Sequence, residues 1–281
     1  MDYYLDLMGL RTVLRTPGKI TVSRKLDAFV SKPYTEPDCI ITVRPDTTLP
    51  AMTEQGVWHG LEYYDRHIDV TRIFYCHNAG GPAFAVTSIF HTGEVEISVL
   101  PEYLSYFSGS SGILNRISME TLLLQHQGLL LHASLIKYAG KAIAFTGPSG
   151  IGKSTQADIW RRHFAAKIIN GDRAVLRKGT DGWIAYGSPY AGTSGIYQKD
   201  SAPLAAIVLL EQAKENSLQR LTETEAFRRI YPELTMHRWD KAFVEQATDL
   251  YLQLLQQIPV YRLACLPTES AAQLVKKGLS L

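Results

Sequence analysis

The chain has 281 residues, 46% hydrophobic and 20% charged, the balance of an ordinary globular protein, and it contains no low-complexity tract, which excludes disordered and fibrous classes. Its 29 basic and 27 acidic residues leave a formal charge of +2, too little for bulk attraction to nucleic acid or an anionic membrane, so any bound anion must be held locally. This length accommodates two modest domains. Cys39, Cys76 and Cys265 are odd in number and in no CxxC spacing, and they read as reduced thiols. The start MDYYLDLMGL is acidic where a signal peptide needs basic residues, and no run approaches the ~20 apolar residues of a membrane span, so a cytoplasmic protein is expected.

From residue 19 to about 100, short apolar runs alternate with turn formers. KITVSRKL, CIITVRP, TRIFYCH, AFAVTSIFH and EVEISVL read as strands of a β-rich domain over residues 1–111. Residues 112–127 change to helical spacing, with Ile113, Leu114, Ile117, Leu122 and Leu123 on one face and Gly128 as the stop. A second domain, 112–281, then opens with LLLHASLIKY and KAIAFTG, a hairpin turning at Ala139-Gly140. The loop GPSGIGKST and a helix TQADIWRRHF follow it. Strands KII, AVLRK, WIAYG and LAAIVLL come next, with a polar Gly/Ser loop at 187–201. Helices over Glu223–Ile230 and Lys241–Gln257, a strand VYRLACL and a short helix opened by Thr268 complete the chain.

Gly147, Pro148, Ser149, Gly150, Ile151, Gly152, Lys153 and Ser154 satisfy GxxxxGK[ST] between a strand and a helix. Glycines let successive backbone N–H groups turn onto an anion, and the helix start adds partial positive charge. In that chemistry Lys153 reaches the β- and γ-phosphates of a nucleotide such as ATP, and the Ser154 hydroxyl ligates Mg²⁺, with Thr155 closing the phosphate-binding run. The hairpin register sets His132 opposite Gly147, making it a candidate to meet the γ-phosphate, its metal or an incoming hydroxyl. In Asn170-Gly171-Asp172-Arg173, a strand ends on a carboxylate beside the loop. Asp172 is therefore the candidate Mg²⁺ ligand or catalytic base, and Arg173 a partner for phosphate charge.

The stretches LLLHASLI, AIAFTGPSGIGKST, NGDRAVL and YGSPYAG resemble the kinase domain of HPr kinase/phosphorylase and its shorter relatives, such as lasso-peptide precursor kinases, over about residues 129–210. The resemblance implies an α/β P-loop kinase domain like that of phosphoenolpyruvate carboxykinase, and transfer of phosphate from ATP to a serine hydroxyl. It maps the family's histidine onto His132, its loop lysine and metal-binding serine onto Lys153 and Ser154, and two adjacent aspartates onto Gly171 and Asp172. The first aspartate, usually assigned as base, is thus missing, which leaves Asp172 or His132 to serve. The 187–195 loop, with Tyr190 where tryptophan often stands, suits a lid over nucleotide or acceptor. Glu211 is open between a metal, a ribose and solvent, and Asp158 favours its helix start.

The expected activity is ATP- and Mg²⁺-dependent transfer of the γ-phosphate to a serine or threonine hydroxyl of a peptide or protein. A small-molecule kinase and a degenerate nucleotide-binding regulatory module are the alternatives. The N-terminal strands are suited to presenting a peptide by strand addition, and a homo-oligomer stays open.

Overall fold

The computed structural model describes Met1–Leu281 apart from the side chain of Thr193. The chain packs as two units, Met1–Gln125 and His126–Leu281, each built on a large sheet. The protein is mixed α/β.

The first unit opens with a hairpin of β1 (Asp2–Leu7) and β2 (Leu10–Arg15) that the alternation argument misses. Its turn places Met8 and Gly9 at φ 56° and 76°. Both central residues need the left-handed region, and a methionine there gives no turn signal. The expected strand 19–26 is absent. Ser23 caps a single turn, α1 (Arg24–Asp27), by accepting the Leu26 N–H at 3.3 Å, and that local bond outcompetes extended pairing.

Next come β3 (Cys39–Pro45), β4 (Val57–His59), β5 (Glu62–Arg66), β6 (Val70–Cys76), β7 (Ala83–Phe90) and β8 (Glu94–Val99). The sheet order is β1-β2-β3-β8-β7-β6-β5-β4. Leu7, Leu10, Ile41, Ile73, Phe74, Ile89, Val95 and Ile97 are all buried. The expected helix of 112–127 is two pieces, α2 (Ser110–Leu114) and α3 (Met119–Gln125), separated where Ser118 takes φ 40°.

In the second unit, Gln127 at φ 57° turns the chain into β9 (Gly128–Tyr138), so Gly128 begins a strand instead of stopping a helix. β9 and β10 (Lys141–Thr146) form the expected hairpin, with Tyr138 paired to Lys141 and Ala133 to Thr146. Ala139 and Gly140 lie at φ 47° and 77°, the turn whose twist matches paired strands.

After α4 (Lys153–Phe164) follow β11 (Lys167–Asn170), β12 (Arg173–Gly179), β13 (Gly182–Tyr186), β14 (Ser201–Gln212) and β15 (Ser217–Arg220). The chain ends through α5 (Glu223–Ile230), α6 (Lys241–Gln257), β16 (Val260–Cys265) and α7 (Glu269–Gly278). The long strands β9 and β14 serve twice. The first residues of β9 pair with β12 and its last ones with β10 and β11. β14 pairs first with β13, then in parallel with β10 and β16. The fully buried Trp160 on α4 packs in one apolar cluster with Ile136, Phe145, Val208 and Leu263 of the sheet and Val275 of α7.

No helix among the described residues is long and apolar enough to cross a membrane.

Candidate functional site

β10, β14 and β16 run parallel, and all three end on the same side of the second unit, the side where open α/β sheets take their ligands. Gly147 leaves β10 at φ 135°, a conformation that L side chains rarely adopt. Gly150 follows at φ 78°, and Gly152 caps α4 in the left-handed region at φ 112°. The first N–H groups of α4 therefore point out of a loop without side chains at its bends, which is the geometry of an anion cradle. Ser149, Ser154 and Thr155 are exposed, and Ile151 is half-buried.

Lys153 is buried, 7% exposed, and its ammonium donates to the carbonyls of Gly147 at 2.8 Å and Pro148 at 3.1 Å. Burial pushes its pKa below the ordinary lysine value, while the Glu233 and Asp172 carboxylates pull the other way. The lysine thus links the loop electrostatically to a carboxylate pair.

His132 stands in that pair. Its Nδ1 lies 3.0 Å from Glu233 Oε2 and its Nε2 lies 3.5 Å from Asp172 Oδ1. The strand register explains how these groups meet. Thr146 Oγ1 donates to the His132 carbonyl at 2.9 Å, tying the histidine to the residue before Gly147, and His132 pairs across with Arg173 of β12. The backbone of Ala133 donates to the Asp172 carbonyl at 2.9 Å, and Ser134 Oγ donates to that of Gly171 at 3.1 Å.

Sequence reasoning did not single out Glu233. It sits in a 3₁₀ turn, Tyr231–Glu233, that follows α5, and an isolated bridge from Leu131 to Leu234 brings that turn to β9. The Tyr-Pro-Glu turn is visible in the sequence, but its approach to His132 is a contact between distant segments. Arg173 lies 3.6 Å from Asp172 Oδ2 through Nε and donates from NH1 to Thr235 at 3.1 Å.

Asn170, fully buried, organises the turn. Its Oδ1 accepts the N–H groups of Asp172 at 2.9 Å and Arg173 at 2.7 Å, while its Nδ2 donates to the carbonyls of Ser188 at 3.0 Å and Tyr190 at 2.9 Å. One side chain thereby fixes the 170–173 turn and the start of the 187–201 segment. That segment lies over the turn. A Cβ on Gly192 would meet Asp172 Cγ at 2.4 Å, and a Cβ on Gly171 would meet Ser194 Oγ at 2.0 Å and its Cβ at 2.5 Å. Ser194 Oγ donates to the Ala191 carbonyl at 2.7 Å and accepts from the Ile196 N–H at 3.2 Å.

Beyond the loop is a cleft of about 450 Å³ lined by Gly150, Gly152, Gln156, Gln212, Cys265 and Leu266, among others. Glu211 is turned to salt bridging. It pairs with Arg229 and, at 2.6 Å, with Arg262, which accounts for its charge without metal or ribose. Asp158 pairs with Arg161 at 2.6 Å and Arg162 at 2.8 Å on the surface of α4. Among the described residues no group of three or more His, Cys, Asp or Glu converges as a metal cage.

A model of the family described as SynChlorMet cassette protein ScmC matches residues 114–271, more than half of the chain and nearly all of the second unit. The chain belongs to that family. No curated protein matches it. Among solved structures, the Hpr(Ser) kinase/phosphatase from Coxiella burnetii shares 10% identity at a TM-score of 0.32, over 54% of this chain and 92% of that one.

Proposed function

We propose that the second unit binds a Mg²⁺-nucleoside triphosphate, ATP in the first instance, on Gly147–Thr155 and transfers its γ-phosphoryl group to a serine or threonine hydroxyl of a peptide or protein. The observation that carries this reading is the meeting of two features at one end of the sheet. One is a glycine-bent loop that opens a helix and holds a buried lysine; the other is an imidazole between two carboxylates. The motif resemblance to HPr-kinase-like enzymes supports the same chemistry.

In this mechanism the inward N–H groups and Lys153 neutralise phosphate charge, which is most of what phosphoryl transfer asks of a protein. The donors available to a metal are oxygens, the Ser154 hydroxyl and the Asp172 carboxylate, a set suited to Mg²⁺ shared with phosphates. When bound, the ion would supply positive charge that offsets the charge of the phosphates. Glu233 fixes the His132 ring through Nδ1, so Nε2 faces Asp172, and the acceptor's proton is taken up by the Asp172–His132 pair. Arg173 stands beside that pair as a further cation.

A second reading, a nucleotide-binding module without transfer, has its own observation. The place of an aspartate at residue 171 is filled by Ser194. Incubating the full chain with Mg²⁺ and ATP labelled at the γ-phosphate, together with the other products of the cassette that the family description implies, separates the two. A gain of one phosphate on a hydroxyl, lost in folded Lys153→Ala, is the expected result. Retained transfer in that variant removes the loop from the reaction, and binding without any transfer leaves the module.

A further inference from the structure

We propose that Gln156 reads the amino-bearing edge of a purine base, an inference that rests on the phosphate-binding reading of Gly147–Thr155 and deepens it. Gln156 stands one turn into α4, at the inner wall of the 450 Å³ cleft that begins at Gly150 and Gly152. Phosphates seated on the loop put the rest of a nucleotide into this cleft.

The side chain is 3% exposed, and its Nε2 donates to Cys265 Sγ at 3.5 Å, which turns the amide toward the end of β16. Its Oε1 is buried and receives no hydrogen bond from the described residues. A buried carbonyl oxygen without a donor is costly and uncommon in a folded protein. Oε1 has no exposed surface in the free chain, so a base meets it by a small turn of the Gln156 side chain, itself part of the cleft wall. The partner it lacks is an N–H group.

Two other wall residues suit a base. Leu266, 43% exposed, and Pro267 offer an apolar surface for a ring face, and Gln212 adds a polar edge at the end of β14. Flat apolar contact with one polar group to set orientation is how small-molecule clefts select their occupants. The 6-amino group of adenine and the 2-amino group of guanine share the donor chemistry that Oε1 requires.

Affinities of the full chain for four Mg²⁺-triphosphates test this. ATP and purine riboside triphosphate differ only in the 6-amino group; GTP and inosine triphosphate differ only in the 2-amino group. One pair is expected to differ by about ten-fold or more, the worth of one buried hydrogen bond, and that pair names the base. In Gln156→Met, checked for an intact melting transition, the difference is expected to shrink to within about two-fold.

Wild-type protein that binds both members of each pair alike overturns the proposal without any variant, and so does a difference that survives in folded Gln156→Met. Inorganic tripolyphosphate distinguishes the levels of failure. If it binds while neither pair differs, only the base assignment falls. If neither it nor any nucleotide binds, the phosphate-site reading falls and this one with it.

Discussion

Ser194 occupies the space into which a side chain on residue 171 would project, its Oγ and Cβ lying 2.0 Å and 2.5 Å from the Cβ position of Gly171. The glycine is therefore set by its neighbour across the site and not by a turn conformation, since Gly171 is absent from the positive-φ residues. Gly171→Ala is expected to cost about 1–3 kcal/mol by overpacking, and Ser194→Gly in the same chain to return most of it. Denaturant titration of the two single variants and the double one measures the coupling, and additive effects would show that the two positions do not meet. Gly171→Asp, which recreates adjacent aspartates, is accordingly best assayed for phosphoryl transfer in the Ser194→Gly background.

The Asn170 side chain makes four hydrogen bonds to backbone from full burial, two as acceptor to residues 172–173 and two as donor to residues 188–190, and a fifth from Nδ2 to Ser188 Oγ at 3.3 Å. Asn170→Ala is expected to lose about 2–4 kcal/mol of stability. Asn170→Asp keeps the acceptor but sets an oxygen against two carbonyls. Its loss, measured against wild type at the same pH by urea unfolding, should be largest at neutral pH and smaller below about pH 4, where a protonated acid again donates. Equal losses at both pH values would show that the donor side of Asn170 does not hold the 187–201 segment.

Glu233→Gln keeps the size of the side chain and removes the charge from His132 Nδ1. If Glu233 positions the imidazole, kcat for phosphoryl transfer should fall by about a hundred-fold while KM for the nucleotide changes little. Steady-state kinetics on folded protein checks this, and an unchanged kcat would take Glu233 out of the mechanism.

Much of this site was legible in the sequence because its parts are local. The GxxxxGK[ST] spacing marked Gly147–Ser154, and the hairpin grammar around Ala139-Gly140 set the register that brings His132 to the loop, which is the register observed. Glu233, and Ser194 of the expected 187–195 lid loop in its contact with residue 171, were illegible for the opposite reason. Each reaches its partner from a segment far along the chain, through a 3₁₀ turn or a loop with no periodicity to betray it. In the first unit the failures were those of turn chemistry, a methionine at a left-handed position and a serine cap inside an apolar run.

Asp200 gives a test in pH. Burial alone would raise its pKa, but hydrogen bonds from Lys137 at 2.8 Å and Lys167 at 2.7 Å overcome that and leave it below the usual value. The folded chain thus holds this proton less tightly than the unfolded one. The stability it contributes is complete above the ordinary carboxylate pKa of about 4 and is lost as pH falls through the lower folded value. Asp200→Asn should be less stable than wild type at pH 7 and lose less on acidification between about pH 4 and pH 2, by denaturant unfolding across that range. Parallel curves for the two proteins would deny Asp200 this role.

Because β9 and β14 each contribute backbone to two sets of pairings, the strands β10, β9, β12, β13 and β14 close into a circuit without a free edge. Amide protons on β10 and on β12 are protected through the same strand, so they should exchange in one concerted event. A nucleotide gripped at the rim would then slow exchange as far away as β13, making the whole barrel-like circuit of strands a reporter of what occupies its mouth.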